Sequence, residues 1–488
     1  MSPTKSLNVV LVVMDTARMD EVQLRADRQT PFLSSLSDSG TVFKNATANA
    51  PWTLPSHASL FTGTTPSKHG AHAGHKHLDD SLTTLPEILQ THDYETVAVS
   101  NNTWISEEFG FGRGFETFFK TWQYVQADTD LGKIAQMENG LDMFKEAVKA
   151  VFDGNPITNI SNAVYGQYFR RANDDGAART NEWIKDWLTG RDDSRPFFLF
   201  VNYLEPHLEY RPPKAHTKQH LPEGITYGEA MEISQDAWGY IAGTVDLTDE
   251  DFEILRALYR AEISYLEEKI EALIHLLKSE SEWDDTLFIV TGDHGENIGE
   301  HGLMDHQYAL YDTLLHVPLY VHGGPFKDND RTDLVQLIDI APSILDTLDI
   351  DAPEVRNQFQ GVSFHPDTEQ SREYAVAEYM APQPSMDALE TKVGDLPDHV
   401  YEYDRSLKSI RTDRYKYIRG SDGSCELYDI QGDPGEQTNL AGTKLDIVER
   451  LDTMLDEWLN SFEQTERLED VSMDDDTRSR LEDLGYLQ

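Results

Sequence analysis

The sequence predicts an α/β fold: a central, mostly parallel sheet flanked by helices, with a smaller C-terminal α+β subdomain. Three observations carry this. Short apolar runs alternate with amphipathic helical patterns, polar residues stand just past several of those runs, and the texture changes after Phe364.

The runs are Val9–Met14, Thr96–Val99, Phe197–Val201, Leu287–Val290 and Pro318–Val321. Each is continuously apolar and does not alternate, which is the pattern of a strand covered on both faces. Between them, Asp174–Leu188 and Asp251–Leu277 place apolar residues at three- and four-residue spacing, as a helix with one buried face requires. Strands alternating with helices make a parallel sheet. Residues 120–175 carry no strand signal and read as a helical insertion. Beyond Phe364, short strands at Tyr374–Glu378 and Leu407–Arg411 precede a hairpin, Tyr415–Ile418 and Glu426–Tyr428, turning at Ser421–Gly423. Lys444–Phe462 reads as a closing amphipathic helix, and Glu466–Gln488 as an acidic tail. The expected division is a catalytic part over 1–365 and the smaller subdomain over 366–488, packed as one body.

Length and charge narrow the function. At 488 residues the chain can bury a large core. Its 87 Asp+Glu against 41 Lys+Arg give a formal net charge of −46, which excludes a phosphate-neutralising nucleic-acid surface and docking on an anionic membrane. The hydrophobic fraction of 39% is that of a folded protein, not an acidic disordered one. Self-repulsion of this size opposes compaction unless salt shortens the screening length, to about 3 Å near 1 M. A halophilic, archaeal-type cytosol is the setting this predicts. The single cysteine, Cys425, excludes an internal disulfide and a cysteine metal cluster. The apolar run before Asp15 is too short for a signal peptide or a membrane span, so a cytoplasmic location is expected.

The polar residues past the runs carry the chemistry. Asp15 follows the first, Asn101 and Asn102 the second, Glu205 and His207 the third, Asp293 and His294 the fourth. The carboxyl edge of an open α/β sheet is where ligands bind. The segment Ala50-Pro-Trp-Thr53-Leu-Pro-Ser56-His57 leads into a helix whose first turn tolerates Pro55. A hydroxyl at that entrance sits where free N–H groups favour an anion, although a Thr there can also be a plain cap. Asp15 and the Asp293-His294 pair offer hard ligands for a divalent cation beside it, and a cation-activated hydroxyl attacks phosphorus or sulfur. The glycines in Thr291-Gly-Asp-His-Gly-Glu296 are read as letting backbone approach a ligand.

Together with His301-Gly-Leu, Ser409–Ile418 and Glu426–Glu436, these segments resemble the sulfatase family of the alkaline phosphatase superfamily over nearly the whole chain. The resemblance implies Asp15, Asp293 and His294 as metal ligands and Thr53 as nucleophile and fourth ligand. It implies His207 near the leaving group and His306 where a cationic residue touches the ester. His57 stands where an arginine usually follows the nucleophile. Three departures stand out. Sulfatases carry Cys or Ser, oxidised to formylglycine, where this chain has Thr53. A threonine gives a ketone on oxidation, so no formylglycine is expected and direct attack by the hydroxyl remains. Thr16 replaces a second metal-binding Asp. Ser100-Asn101-Asn102-Thr103 replaces a Lys and His, and an Asn amide there could donate to the substrate.

The expected activity is metal-dependent hydrolysis of a sulfate or phosphate ester, on a small-molecule or glycan substrate, with one divalent cation (Ca, Mn, Mg or Zn). A transferase passing a phosphoryl or sugar-phosphate group to an alcohol, and a catalytically inactive anion-binding relative, are the alternatives. Asp312-Thr-Leu-Leu-His316 has two-metal spacing but lies in an apolar helical stretch and reads as structural. The loop bearing His69, His72, His75 and His77 could bind metal but reads first as a polar border to the site. Sequence does not fix the oligomeric state. Because the charge argument concerns screening, the urea midpoint of unfolding should rise steeply with KCl; an insensitive midpoint contradicts the halophilic reading.

Overall fold

The computed structural model describes residues 6–26, 39–122, 174–192, 194–327 and 329–465. The expected insertion, apart from its edges, and the acidic tail lie outside the described residues.

Fourteen strands follow in chain order among the described residues. They are β1 (Asn8–Met14), β2 (Thr41–Thr47), β3 (Glu95–Ser100), β4 (Thr117–Lys120), β5 (Phe197–Tyr203), β6 (Thr286–Gly292), β7 (Asn297–Ile298) and β8 (Met304–Asp305). Then come β9 (Leu319–His322), β10 (Asn329–Gln336), β11 (Ala375–Tyr379), β12 (Leu407–Arg411), β13 (Tyr415–Gly420) and β14 (Cys425–Asp429). Eight build the central sheet in the order β10-β2-β9-β6-β1-β5-β3-β4. All pair in parallel except β9, which runs antiparallel to both β2 and β6. In register, Val12 of β1 faces Val201 of β5 and Val290 of β6. Every residue of β1, β5 and β6 is buried, which is why both parities of those strands are apolar.

The apolar runs thus mark real strands, and the fifth of them is the antiparallel one. Three strands carry no such run. β2 holds half-buried Lys44 and Asn45, β4 is a short edge strand, and β10 reads Asn-Asp-Arg-Thr-Asp along the opposite edge. An edge strand meets solvent, so a continuous hydrophobic signal is not required of it.

The long helix Asp249–Ser279 starts in a capping box, with Thr248 and Asp251 each bonding the other's backbone. Its buried stripe includes Phe252, Leu255, Tyr259, Leu266 and Leu273. No helix among the described residues is long and apolar enough to cross a membrane.

The C-terminal sheet is antiparallel, β11-β12-β13-β14, and the helix Leu445–Leu459 lays Leu451 and Leu455 on Ile410, Tyr417 and Leu427. Several bonds join it to the main body, among them the following. The Glu378 N–H donates to the Asn49 carbonyl at 2.9 Å. Lys416, fully buried, pairs with Asp312 at 2.9 Å and Glu436 at 2.7 Å, while Arg411 lies 3.4 Å from Asp312. His316 donates Nε2–H to the Lys44 carbonyl at 2.8 Å. Asp312 and His316 are therefore both engaged in packing.

Removing one member of a buried ion cluster strands the others without compensation. Lys416→Met should lower stability by about 3 kcal/mol in urea unfolding, whereas Arg414→Ala, at an exposed ion pair with Asp429, should leave the midpoint nearly unchanged.

Candidate active site and metal centre

β1, β3, β5 and β6 end side by side, and the chain leaving β2 turns into the helix Thr53–Thr62 at the same edge. Asp15 continues β1, its N–H bonding the Tyr203 carbonyl at 3.1 Å. Thr16 then adopts φ 59°, a left-handed conformation that costs a β-branched residue of the order of 1–3 kcal/mol. Three bonds hold it there. Its N–H donates to Asp293 Oδ1 at 3.1 Å, its carbonyl accepts from the Tyr259 hydroxyl at 2.8 Å, and that hydroxyl in turn accepts from Arg18 N–H at 3.0 Å. Tyr259, from the long helix, is the pin.

The glycines flanking Asp293-His294 serve a different purpose from the one expected. A Cβ on Gly292 would lie 2.7 Å from the Ala17 carbonyl oxygen, and one on Gly295 only 2.0 Å from the Thr313 carbonyl oxygen. They allow protein backbone, not a ligand, to approach.

Thr53 is the first residue of its helix and is fully buried. The N-cap position belongs to Trp52, so the Thr53 hydroxyl is not spent as a cap. It lies 3.3 Å from His294 Nε2 and accepts from Asn102 Nδ2 at 3.4 Å. The same amide donates to Asp15 Oδ2 at 2.6 Å. His294 sits 3.7 Å from Asp15 and 3.4 Å from Asp293 through Nε2. Its Nδ1 bonds the Gly295 carbonyl at 2.9 Å; a carbonyl only accepts, so Nδ1 carries the hydrogen and the Nε2 lone pair faces the carboxylates. Metal-binding histidines are oriented in this way.

Charge in this cluster is uncompensated. Burial, reinforced by Asp293, pushes the Asp15 carboxyl well above its ordinary range, and Asn102 opposes this only in part. Burial also raises Asp293, against the pull of His57. Asp15 Oδ1 and Asp293 Oδ2 are buried without a hydrogen bond. Burial and the charge of His306 hold His294 far below the usual imidazole range, in the neutral form a metal ligand needs. One donor atom from each of Asp15, Asp293 and His294 falls within 4.8 Å of the others. Two buried carboxylates with orphaned oxygens and an imidazole lone pair fit a divalent cation.

The remaining predicted residues separate. Asn101 faces elsewhere: its Oδ1 accepts from Thr180 Oγ1 at 2.8 Å, on the helix Ala177–Gly190. His57 donates Nδ1–H to the Thr53 carbonyl at 2.9 Å and lies 3.5 Å from Asp293 Oδ2, its ring edge-on to Phe61, Phe111 and Phe200. Burial lowers its pKa, so it is a packed neutral ring beside the cluster. The His306 ring lies tilted 4.7 Å from that of His294 and edge-on 5.2 Å from that of His207. Burial works against its charge, yet Asp305 and Glu296 outweigh that and raise its pKa well above the ordinary value. His207, bonded through Nδ1 to the Leu208 carbonyl, is driven down to about 3 by burial and by His306. The adjacent histidines thus hold opposite charge states.

Three participants carry no role in the sequence reading. Glu296, raised to about 7 by burial, and Asp305 flank His306 and sit inside or beside the quoted motifs. Ser56, one turn from Thr53, donates to the Asp293 carbonyl at 2.6 Å and ties the helix to the end of β6. The sequence shows a Ser three residues after Thr53 but not the carbonyl it reaches.

A family model described as Sulfatase matches residues 7–350. Arylsulfatase K of Bos taurus is 23% identical over 482 residues, 93% of this chain and 82% of the relative. Choline-sulfatase of Rhizobium meliloti (strain 1021) is 24% identical over 429 residues, covering 84% and 77% of the two chains. The phosphonate monoester hydrolase of Agrobacterium radiobacter has the same fold, with TM-score 0.68 at 19% identity over 94% of this chain and 96% of that one. This chain belongs to the sulfatase family of the alkaline phosphatase superfamily and is an ester hydrolase.

Proposed function

We propose that the Thr53 hydroxyl is the nucleophile and that the substrate is a phosphoric ester, a diester in preference to a sulfate. The observation that carries this is the buried Thr53 oxygen, 3.3 Å from His294 and 3.4 Å from Asn102, uncommitted to capping its helix. Asp15, Asp293 and His294, with Thr53, would hold one divalent cation. Bound there, it supplies positive charge that eases loss of the hydroxyl proton and neutralises charge building on the ester. Two carboxylates and an imidazole suit Mn or Zn better than Ca, which prefers all-oxygen shells.

The chain's own residues do the rest. Asn102 aims the Thr53 oxygen and keeps Asp15 in place. Thr53 attacks phosphorus, the bond from phosphorus to the leaving alcohol breaks, and water then cleaves the Thr53 ester. His306, cationic beside Asp305 and Glu296, meets the substrate's negative charge. His207 is the acid for the leaving oxygen; an anionic ester next to it raises its pKa and lets it carry the proton. His57 positions the Thr53 carbonyl and Asp293 instead of touching substrate, and Asn101 supports its neighbour from behind through Thr180. A formylglycine hydrate can shed its sulfate by collapse of the second hydroxyl, whereas a Thr ester must be opened by water at the central atom. That difference supports phosphorus over sulfur. The acidity supports a salt-rich cytosol as the working compartment, and the histidines supply the local positive charge that an anionic substrate needs against the global field.

In molar KCl with Mn²⁺, kcat/KM should be higher on a bis-aryl phosphate than on a matched aryl sulfate. Thr53→Ala should lose at least about a thousandfold in kcat, and Thr53→Ser should retain most activity; an active Thr53→Ala removes Thr53 from the mechanism. Added metal at a hundredfold over Kd should stabilise the wild type by about 2.7 kcal/mol. Asp293→Asn should lose the part of that gain that comes from this site in a thermal scan, while leaving the stripped protein at least as stable, because one buried charge is gone.

A further inference from the structure

The histidine-rich loop has a use that ester hydrolysis does not absorb. We infer that His75, His77 and Asp79 form a second metal site, independent of Asp15 and Asp293, that takes zinc or a similar borderline transition ion.

The spacing His-x-His-x-Asp brings three donors from one short loop to a point. His75 Nε2 and His77 Nδ1 lie 3.1 and 3.2 Å from the same oxygen, Asp79 Oδ1. Donor atoms from all three fall within 4.8 Å of one another. Zinc bonds of about 2.0–2.1 Å in a tetrahedron set neighbouring donors about 3.3 Å apart, so these separations are those of tetrahedron edges. Two imidazoles and one carboxylate are a zinc-type donor set, too nitrogen-rich for calcium or magnesium.

The backbone is set independently of those side chains. His72 and His75 exchange backbone bonds at 3.0 and 2.9 Å, closing a tight turn, and Leu78 N–H donates to the Phe109 carbonyl at 2.9 Å. Gly110 packs so closely that a Cβ there would lie 2.2 Å from the Leu78 carbonyl oxygen and 3.0 Å from the His77 ring. His75 and Asp79 are largely buried, whereas the His77 side chain is 32% exposed, which leaves a route for an ion and an open fourth position for water. No residue is shared with the Asp15–Asp293–His294 cluster.

The loop also braces the active-site wall. Lys76 Nζ stands 5.5 Å over the Trp104 ring, which meets Trp52 edge-on at 5.7 Å. Trp52 precedes Thr53, and the Trp104 N–H donates to Asn102 Oδ1 at 2.9 Å. An ion clamping this loop would stiffen the wall behind the nucleophile without touching substrate.

The test is a titration of the metal-stripped full chain in molar KCl with Co²⁺, followed by visible absorption, and with Zn²⁺, followed by bound-metal analysis. Wild type should bind two equivalents, one with the intense tetrahedral Co²⁺ spectrum. His77→Ala and His75→Ala should each lose that equivalent and that spectrum while keeping their circular dichroism. Asp293→Asn should keep it. Wild type binding one equivalent that disappears in His77→Ala would uphold this site and count against the cation at Asp15 and Asp293. Binding that is identical in wild type, His75→Ala and His77→Ala overturns the inference, as does a single equivalent lost only in Asp293→Asn.

Discussion

Two carboxylates buried at one sheet edge are the constraint around which this molecule is arranged. Asp15 and Asp293 follow adjacent strands, and burial lowers the pKa of both imidazoles that touch them, His57 and His294. Taking a carboxylate out of water costs several kcal/mol even after relaxation, so a fold that tolerates two together must gain something from them. The neighbouring elements look like consequences. Tyr259 pins the Thr16 turn that bonds Asp293, Ser56 ties the Thr53 helix to the Asp293 carbonyl, and the Gly295 carbonyl fixes the His294 ring with its Nε2 toward the carboxylates.

Charge is handled on two scales. The chain as a whole is strongly anionic, yet the innermost site places a cationic His306 between two acids and beside a neutral His207. Burial lets such local differences persist, since short-range interactions between desolvated groups are screened far less than the surface field.

What sequence revealed followed burial. β1, β3, β5 and β6 are covered on both faces, so their apolar runs were visible, and the residues just past them, Asp15, Asn102, His207 and Asp293, could be placed at one rim. β10 carries Asp330 along the sheet edge, and the inner strand β2 is interrupted by half-buried Lys44 and Asn45, so no continuous hydrophobic pattern betrays them. Nor does an apolar run state its direction, which is why β9 could not be known to oppose its neighbours. Within the site, the convergence of Asp15, Asp293 and His294 was legible from residue order; partners supplied by distant packing were not. Tyr259 lies on a helix far along the chain, Thr180 claims Asn101, and Gly292 and Gly295 make room for carbonyl groups that only the fold brings near.

The buried lysine at the junction of the two sheets has one more implication. Lys416 belongs to the small sheet, but Asp312 opens a short helix of the main body, and Arg411 of the small sheet reaches Thr47 at the end of β2, just ahead of the Thr53 helix. The small sheet is thus not a detachable module. A shuffled or shortened gene product lacking it would leave an aspartate stranded in the larger half and a loosened approach to Thr53, so inheritance of the two halves is expected to be all or nothing.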